Sequence, residues 1–244
     1  MKLSTLTVLG TAFLLSLGLI SSTAIAQSSP VPETAETKTD IAKAEIPEGT
    51  FSQLPSDHVI GQATAPITMI VYASVTCPHC SHWFKSVWPD IEENYIKTGK
   101  VKMIFREFPT APAQLAIAGF QIANCGDEDM FFPIVLHQMV EQEAIFEDVK
   151  TGKGEERYLS IAKMAGVKDV EGMNKCFGQQ AGFDRMQKIG AMADAAGIHG
   201  VPSAIIDGKV YEGSLDSLPL SKHLNGLLTK DFTPIPKLNG KKKH

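Results

Sequence analysis

Two cysteines separated by two residues stand at the centre of the stretch SVTCPHCSHWF, residues 74–84. Thiols at this spacing can clamp a metal, close a structural staple or trade disulfides. A structural zinc site takes four ligands, usually from two separated pairs. Here Cys77 and Cys80 with His79 or His82 supply three, while the other cysteines stand alone at 125 and 176. A staple across so short a ring withdraws little entropy from the unfolded chain. The remaining chemistry is exchange, with Cys77 and Cys80 as the catalytic pair and no metal or cofactor required.

Exchange needs a particular placement, and the flanking elements predict it. Residues 67–73, ITMIVYA, form a near-continuous β-branched and aromatic run, the pattern of a strand buried on both faces. From Pro78 to Tyr95 the apolar positions Trp83, Phe84, Val87, Trp88, Ile91 and Tyr95 recur at helical spacing, and KTGK ends the helix at Gly99. A strand entering a helix sets Cys77 at the helix N-terminus and Cys80 one turn on. Residues three apart on a helix have Cβ atoms roughly 5–6 Å apart, within reach of a disulfide after modest adjustment.

A thiolate at Cys77 would meet unpaired backbone N–H groups and the positive helix end. That end contributes at most about 2 kcal/mol, on the order of one pKa unit or slightly more. His79 adds a hydrogen bond and, when protonated, a charge. Pro78 has no N–H to leave unpaired and suits the first helical position. Stabilising the thiolate stabilises the reduced pair, which makes the disulfide more oxidising by roughly 30 mV per 1.4 kcal/mol.

The rest of the chain frames this unit. Val101–Phe105 reads as a second strand, giving a β–α–β start expected to form a parallel pair. From Gln114 to Gly197 helical patterns dominate, and strand signals return at PSAIID (202–207), followed by a DGK turn and a closing helix in LDSLPLSKHLNGLL. The expected organisation is a first part at 49–113, a helical insertion at 114–197 and a second part at 198–230, followed by a tail at 231–244.

The N-terminus reads as an export signal over residues 1–26: Lys2, an apolar run at 6–20, then AIA at 24–26. Cleavage is favoured over an uncleaved anchor because Ser, Thr and Gly interrupt the apolar run. Residues 27–48, rich in Ser, Pro, Thr and charge, are expected to be a disordered leader. The formal net charge of −4 becomes one unit more negative once Lys2 is removed, and gives no electrostatic reason for a nucleic-acid partner. Export implies an oxidising compartment in which disulfides persist. A bridge between Cys125 and Cys176 would close a loop of about 50 residues, worth roughly 4 kcal/mol in the chain-entropy model. A structural staple is favoured there over a second shuttle pair. The remaining histidines, His58, His137, His199, His223 and His244, read as surface or core residues, with His199 the closest in sequence to Pro202.

The order of elements, with Cys-X-X-Cys opening the first helix, resembles the thioredoxin fold with an inserted helical domain, an α/β class. The closer resemblance is to DsbA-type thiol:disulfide oxidoreductases. It is carried by YASVTCPHC (72–80), YIKTGKVKMIFREFP (95–109), Cys125, Cys176 and GVPSAIIDG (200–208). The sequence alone favours a trans bond before Pro202, since about 5–6% of X–Pro bonds are cis. The resemblance implies a cis bond there, beside the active cysteines, with Val201 presenting backbone groups to a bound peptide. One position departs from the family: the buried acid six residues before the first cysteine, which takes part in moving the inner cysteine's proton, is replaced by Val71.

The resemblance implies a periplasmic oxidase that acts on reduced, unfolded exported proteins and is restored by a DsbB-type, quinone-linked membrane oxidase. Two alternatives stay open: a reductase or isomerase kept reduced by a membrane partner, and a redox-inactive peptide-binding chaperone. Isomerases of this superfamily often carry an N-terminal dimerisation domain, which the short leader cannot form, so a monomer is expected.

Overall fold

The computed structural model describes residues 46–230. The expected export signal, nearly all of the leader and the C-terminal tail lie outside the described residues. Among the described residues no helix is long and apolar enough to cross a membrane.

The sheet grows from strand β2 (Ile67–Ala73), whose unbroken apolar run follows from burial on both faces. Met69, Val71 and Ala73 join the core cluster that also holds Cys77, Cys80, Trp83 and Phe84. Ile70 and Tyr72 face the opposite cluster with Ile189, Met192 and Ile205. Strand β3 (Val101–Glu107) lies parallel to β2, with Val71 opposite Phe105 and Ala73 opposite Glu107. On the other side β4 (Ser203–Ile206) runs antiparallel to β2 and pairs with the two-residue β5 (Lys209–Val210). With a short first strand, β1 (His58–Ile60), the order is β1-β3-β2-β4-β5. The edge strand β1, antiparallel to β3, was not legible in the sequence.

The helix expected from Pro78 to Tyr95 is interrupted. Helix α1 (Pro78–Ser86) gives way at Val87 to α2 (Trp88–Ile91), and a π-helical turn covers Glu92–Ile96. Pro89 lacks the N–H that would continue the ladder. Past it the spacing loosens, so that the Lys97 N–H reaches the Glu92 carbonyl. The apolar residues nevertheless keep one buried face, from Trp83 through Trp88 and Ile91 to Tyr95. Gly99, at φ +72°, makes the left-handed turn into β3.

Between the sheet's two parts run α3 (Ala113–Ala123), α4 (Glu128–Val140), α5 (Gln142–Lys150), α6 (Gly154–Met164), α7 (Val170–Phe177) and α8 (Gln180–Ala195), and α9 (Ser217–Lys230) follows β5. A disulfide joins Cys125, just past α3, to Cys176 in α7, with Cα atoms 5.5 Å apart. Arg106, fully buried in β3, pairs with Asp57 at 3.0 Å and donates to the carbonyls of Gly49, Thr50 and Ser52 and to the Tyr72 hydroxyl. The segment before β1 is thereby tied to the sheet. A guanidinium in that position survives burial because each side of its fork finds an acceptor.

Candidate active site

Strand β2 delivers the chain into a tight turn, Ser74–Thr76, whose hydroxyls are spent on one another. Ser74 Oγ lies 3.0 Å from Thr76 Oγ1 and accepts from the Thr76 and Thr110 backbone N–H groups, while the Thr76 hydroxyl donates to the Thr110 carbonyl at 2.9 Å. The turn ends at Cys77, which caps α1 in extended geometry (φ −84°, ψ 120°), with Pro78 at the first helical position. The Ser81 N–H closes the first helical bond to the Cys77 carbonyl at 3.0 Å.

The two sulfurs are not bonded to each other, and their surroundings differ. Cys77 is 8% exposed and Cys80 is 0% exposed, so only the first presents any surface to a visiting molecule. Cys77 is acidic, its pKa lowered to about 6. The foremost cause is the hydrogen bond from the Cys80 thiol. Burial opposes it, while the backbone N–H groups of Cys80 and His79 and the charge of His79 add to it. Cys80 is pushed the other way, first because its proton is held in the bond to Cys77 and then by burial. The Ser74 N–H faces the Cys80 sulfur at 3.5 Å and offsets part of that rise. The spacing correctly anticipates an acidic Cys77, but its neighbour's thiol outweighs the helix end and His79.

Across the sulfur lies the loop before β4. The Val201–Pro202 bond is cis, and the Val201 carbonyl is 3.4 Å from Cys77 Sγ, in position to accept its S–H. The geometry thus brings Cys77, Cys80, Pro78, His79, Val201 and Pro202 to one place. Pro78 and His79 are exposed and Val201 and Pro202 half-buried. Cys125 and Cys176 are consumed by their own bond. His199 is exposed, and His58 is half-buried, stacked on Phe131 with its ring bonded to Asn124.

Sequence reasoning missed three contributions. Gln142, at the start of α5, donates its amide to the carbonyls of both Val75 and Cys77, at 2.8 and 3.1 Å. Thr110 anchors the turn from the β3–α3 loop, where Ala111–Pro112 is a second cis bond. The Ser81 hydroxyl reaches the Met139 carbonyl near the end of α4. None carries a local signal, because each contact joins residues at least 34 positions apart.

A family model described as thioredoxin matches residues 53–225. A Rickettsia prowazekii relative named as a protein-disulfide oxidoreductase is 26% identical over 173 residues, covering 69% of this chain and 61% of that protein. The chain therefore spans about three-fifths of that relative's length. The disulfide bond formation protein D of Bacillus anthracis is 27% identical, over 65% of this chain and 73% of its own. The crystal structure of alpha-DsbA1 from Wolbachia pipientis superposes with a TM-score of 0.62 at 26% identity, over 73% of this chain and 94% of that one. The chain is similar in sequence and fold to proteins named as disulfide oxidoreductases and to a DsbA, and it belongs to the thioredoxin family.

Proposed function

We propose that the protein is an exported dithiol oxidase that places disulfides in envelope or secreted proteins through the Cys77–Cys80 pair. The observation that carries this reading is the opposition between the two sulfurs: an acidic, partly accessible Cys77 against a fully buried Cys80 that holds its proton. In the oxidised enzyme a substrate thiolate attacks the Cys77 sulfur. The Cys77–Cys80 bond breaks, and Cys80 leaves with the electron pair and takes a proton. A second substrate thiolate then attacks the substrate sulfur of the mixed disulfide, and Cys77 departs as a thiolate. The substrate has gained a disulfide and lost two electrons, which the enzyme now holds as its dithiol.

The first leaving group is poor and buried, whereas the second is a stabilised thiolate. Release of oxidised substrate is therefore the favoured direction, because low leaving-group pKa speeds departure. Val201 and cis-Pro202 border the sulfur on the side from which a peptide would approach, and Pro78 and His79 tune it. The Cys125–Cys176 bond is a staple for the helical part. Residues 49–113 and 198–230 act as the thioredoxin-like portion, with 114–197 as the insertion. A DsbB-type, quinone-linked membrane oxidase would accept the two electrons and restore the disulfide. Location in the periplasm rests on the export signal read at residues 1–26 and on the oxidising compartment this chemistry needs.

Oxidation of a reduced, unfolded test protein with two thiols checks the reading. The oxidised chain should convert it stoichiometrically, and Cys77→Ser should not. Full activity in Cys77→Ser removes the proposal. A pair found mostly reduced in the cell would instead assign the chain to the reductase or isomerase direction.

A further inference from the structure

The turn that presents Cys77 is held from outside its own strand and helix. Gln142 sits where α4 ends and α5 begins, with only 3% of its surface exposed. Its amide nitrogen lies 2.8 Å from the Val75 carbonyl oxygen and 3.1 Å from that of Cys77. A primary amide has two N–H groups, and both are spent on the two residues that bracket Thr76. Close by, the Ser81 hydroxyl donates to the Met139 carbonyl at 2.6 Å. The α4–α5 junction and the start of α1 are thus joined by three polar bonds on either side of the reactive sulfur.

Resting on the oxidoreductase reading, we propose that Gln142 is a positioning residue for thiol exchange: its amide holds the Val75 and Cys77 carbonyls turned away from the Cys77 sulfur. Carbonyl oxygens are the negative ends of their dipoles. The Cys77 carbonyl keeps the Ser81 N–H as a donor, but the Val75 carbonyl, left without the amide in a buried turn, would rotate toward another partner, and toward the thiolate it would repel charge. With the amide in place, the field at the sulfur is set by the Cys80 thiol, the backbone N–H groups of Cys80 and His79 and the Val201 carbonyl at 3.4 Å, with no added repulsion from the Val75 carbonyl. The titratable groups facing Cys77 are Cys80 and His79, and neither is touched by a change at position 142. Gln142→Met keeps the length of the side chain and removes its amide, the two donors together with the carbonyl oxygen.

The test uses the full chain. In Gln142→Met the Cys77 thiolate should form at a pKa about one unit higher, a tenfold loss of thiolate below the transition. In the equilibrium of protein disulfide and two glutathione thiols with protein dithiol and glutathione disulfide, the balance should move roughly tenfold toward the protein disulfide and reduced glutathione, that is, toward a less oxidising protein. Gln142→Glu, which sets an acceptor against two acceptors, should move both readings further the same way. A merely structural role would lower the melting temperature and leave both readings at native values, and that result overturns the proposal. Should either variant fail to fold, the native reduced chain decides: the two side-chain amide protons of Gln142 should exchange slowly and follow the Cys77 titration by NMR. A rapidly exchanging pair that ignores the titration also overturns it. If Cys77→Ser proves fully active the oxidoreductase reading itself has failed. If Cys77→Ser is inactive and Gln142→Met is native in both readings, only the role of Gln142 has.

Discussion

The thiol of Cys80 donates to the sulfur of Cys77, and that bond is the largest of the causes that drive the two acidities apart. One proton is shared in a way that favours charge on Cys77, which keeps 8% of its surface open, and neutrality on the fully buried Cys80. Cys80→Ala removes the donor and should raise the Cys77 pKa well above 6, whereas Cys80→Ser retains an O–H and should raise it less. Thiolate absorbance of the two variants separates them. Equal values would assign the acidity to the helix end instead.

Stability of the reduced protein should follow the same two groups with opposite signs. The Cys77 pKa in the fold, about 6, lies below its ordinary value of 9.0. Its contribution is fully present above the unfolded value and is lost as pH falls through 6. Cys80 is raised, so above about 9 the unfolded chain sheds a proton that the fold retains, and stability falls again. The melting temperature of the reduced form, measured against the oxidised form to cancel groups common to both, should climb from pH 6 to 9 and then decline. A flat difference over that window contradicts the assignment.

Val71 lies 1% exposed in the same core cluster as both cysteines. A carboxylate there would put negative charge near the developing thiolate and disfavour it. Val71→Glu should raise the Cys77 pKa and weaken the protein as an oxidant. An unchanged or lower value would contradict this electrostatic reading of position 71.

The bond between Cys125 and Cys176 ties the end of α3 to α7, across 51 residues of sequence. Replacing both cysteines by serine should cost roughly 2–5 kcal/mol in chemical denaturation while leaving the Cys77 titration in place. Loss of oxidase activity in a folded double variant would point to a shuttle role for this pair.

What the sequence makes legible here is whatever leaves a periodic or local mark. The buried β2, the cysteine spacing and the apolar stripe from Trp83 to Tyr95 are of that kind. The break at Pro89 is hidden because the stripe stays on one face through the π-helical turn. Strand β1 is hidden because three residues amid polar neighbours carry no alternation. Gln142 sits in EQEA, which reads as an ordinary solvated helix start, and its burial against Val75 exists only once α5 has packed on the turn before α1. The leading cause of the Cys77 acidity is likewise a matter of side-chain orientation, which spacing permits but does not dictate.

The central claim is that Cys77 is a thiolate at neutral pH because of where the fold holds it. Titration of thiolate absorbance in the reduced full chain, with Cys77→Ser as the baseline, measures this directly. The account predicts a single transition near pH 6 that is absent from the baseline. A transition at about 9, the ordinary value for the group, would contradict it.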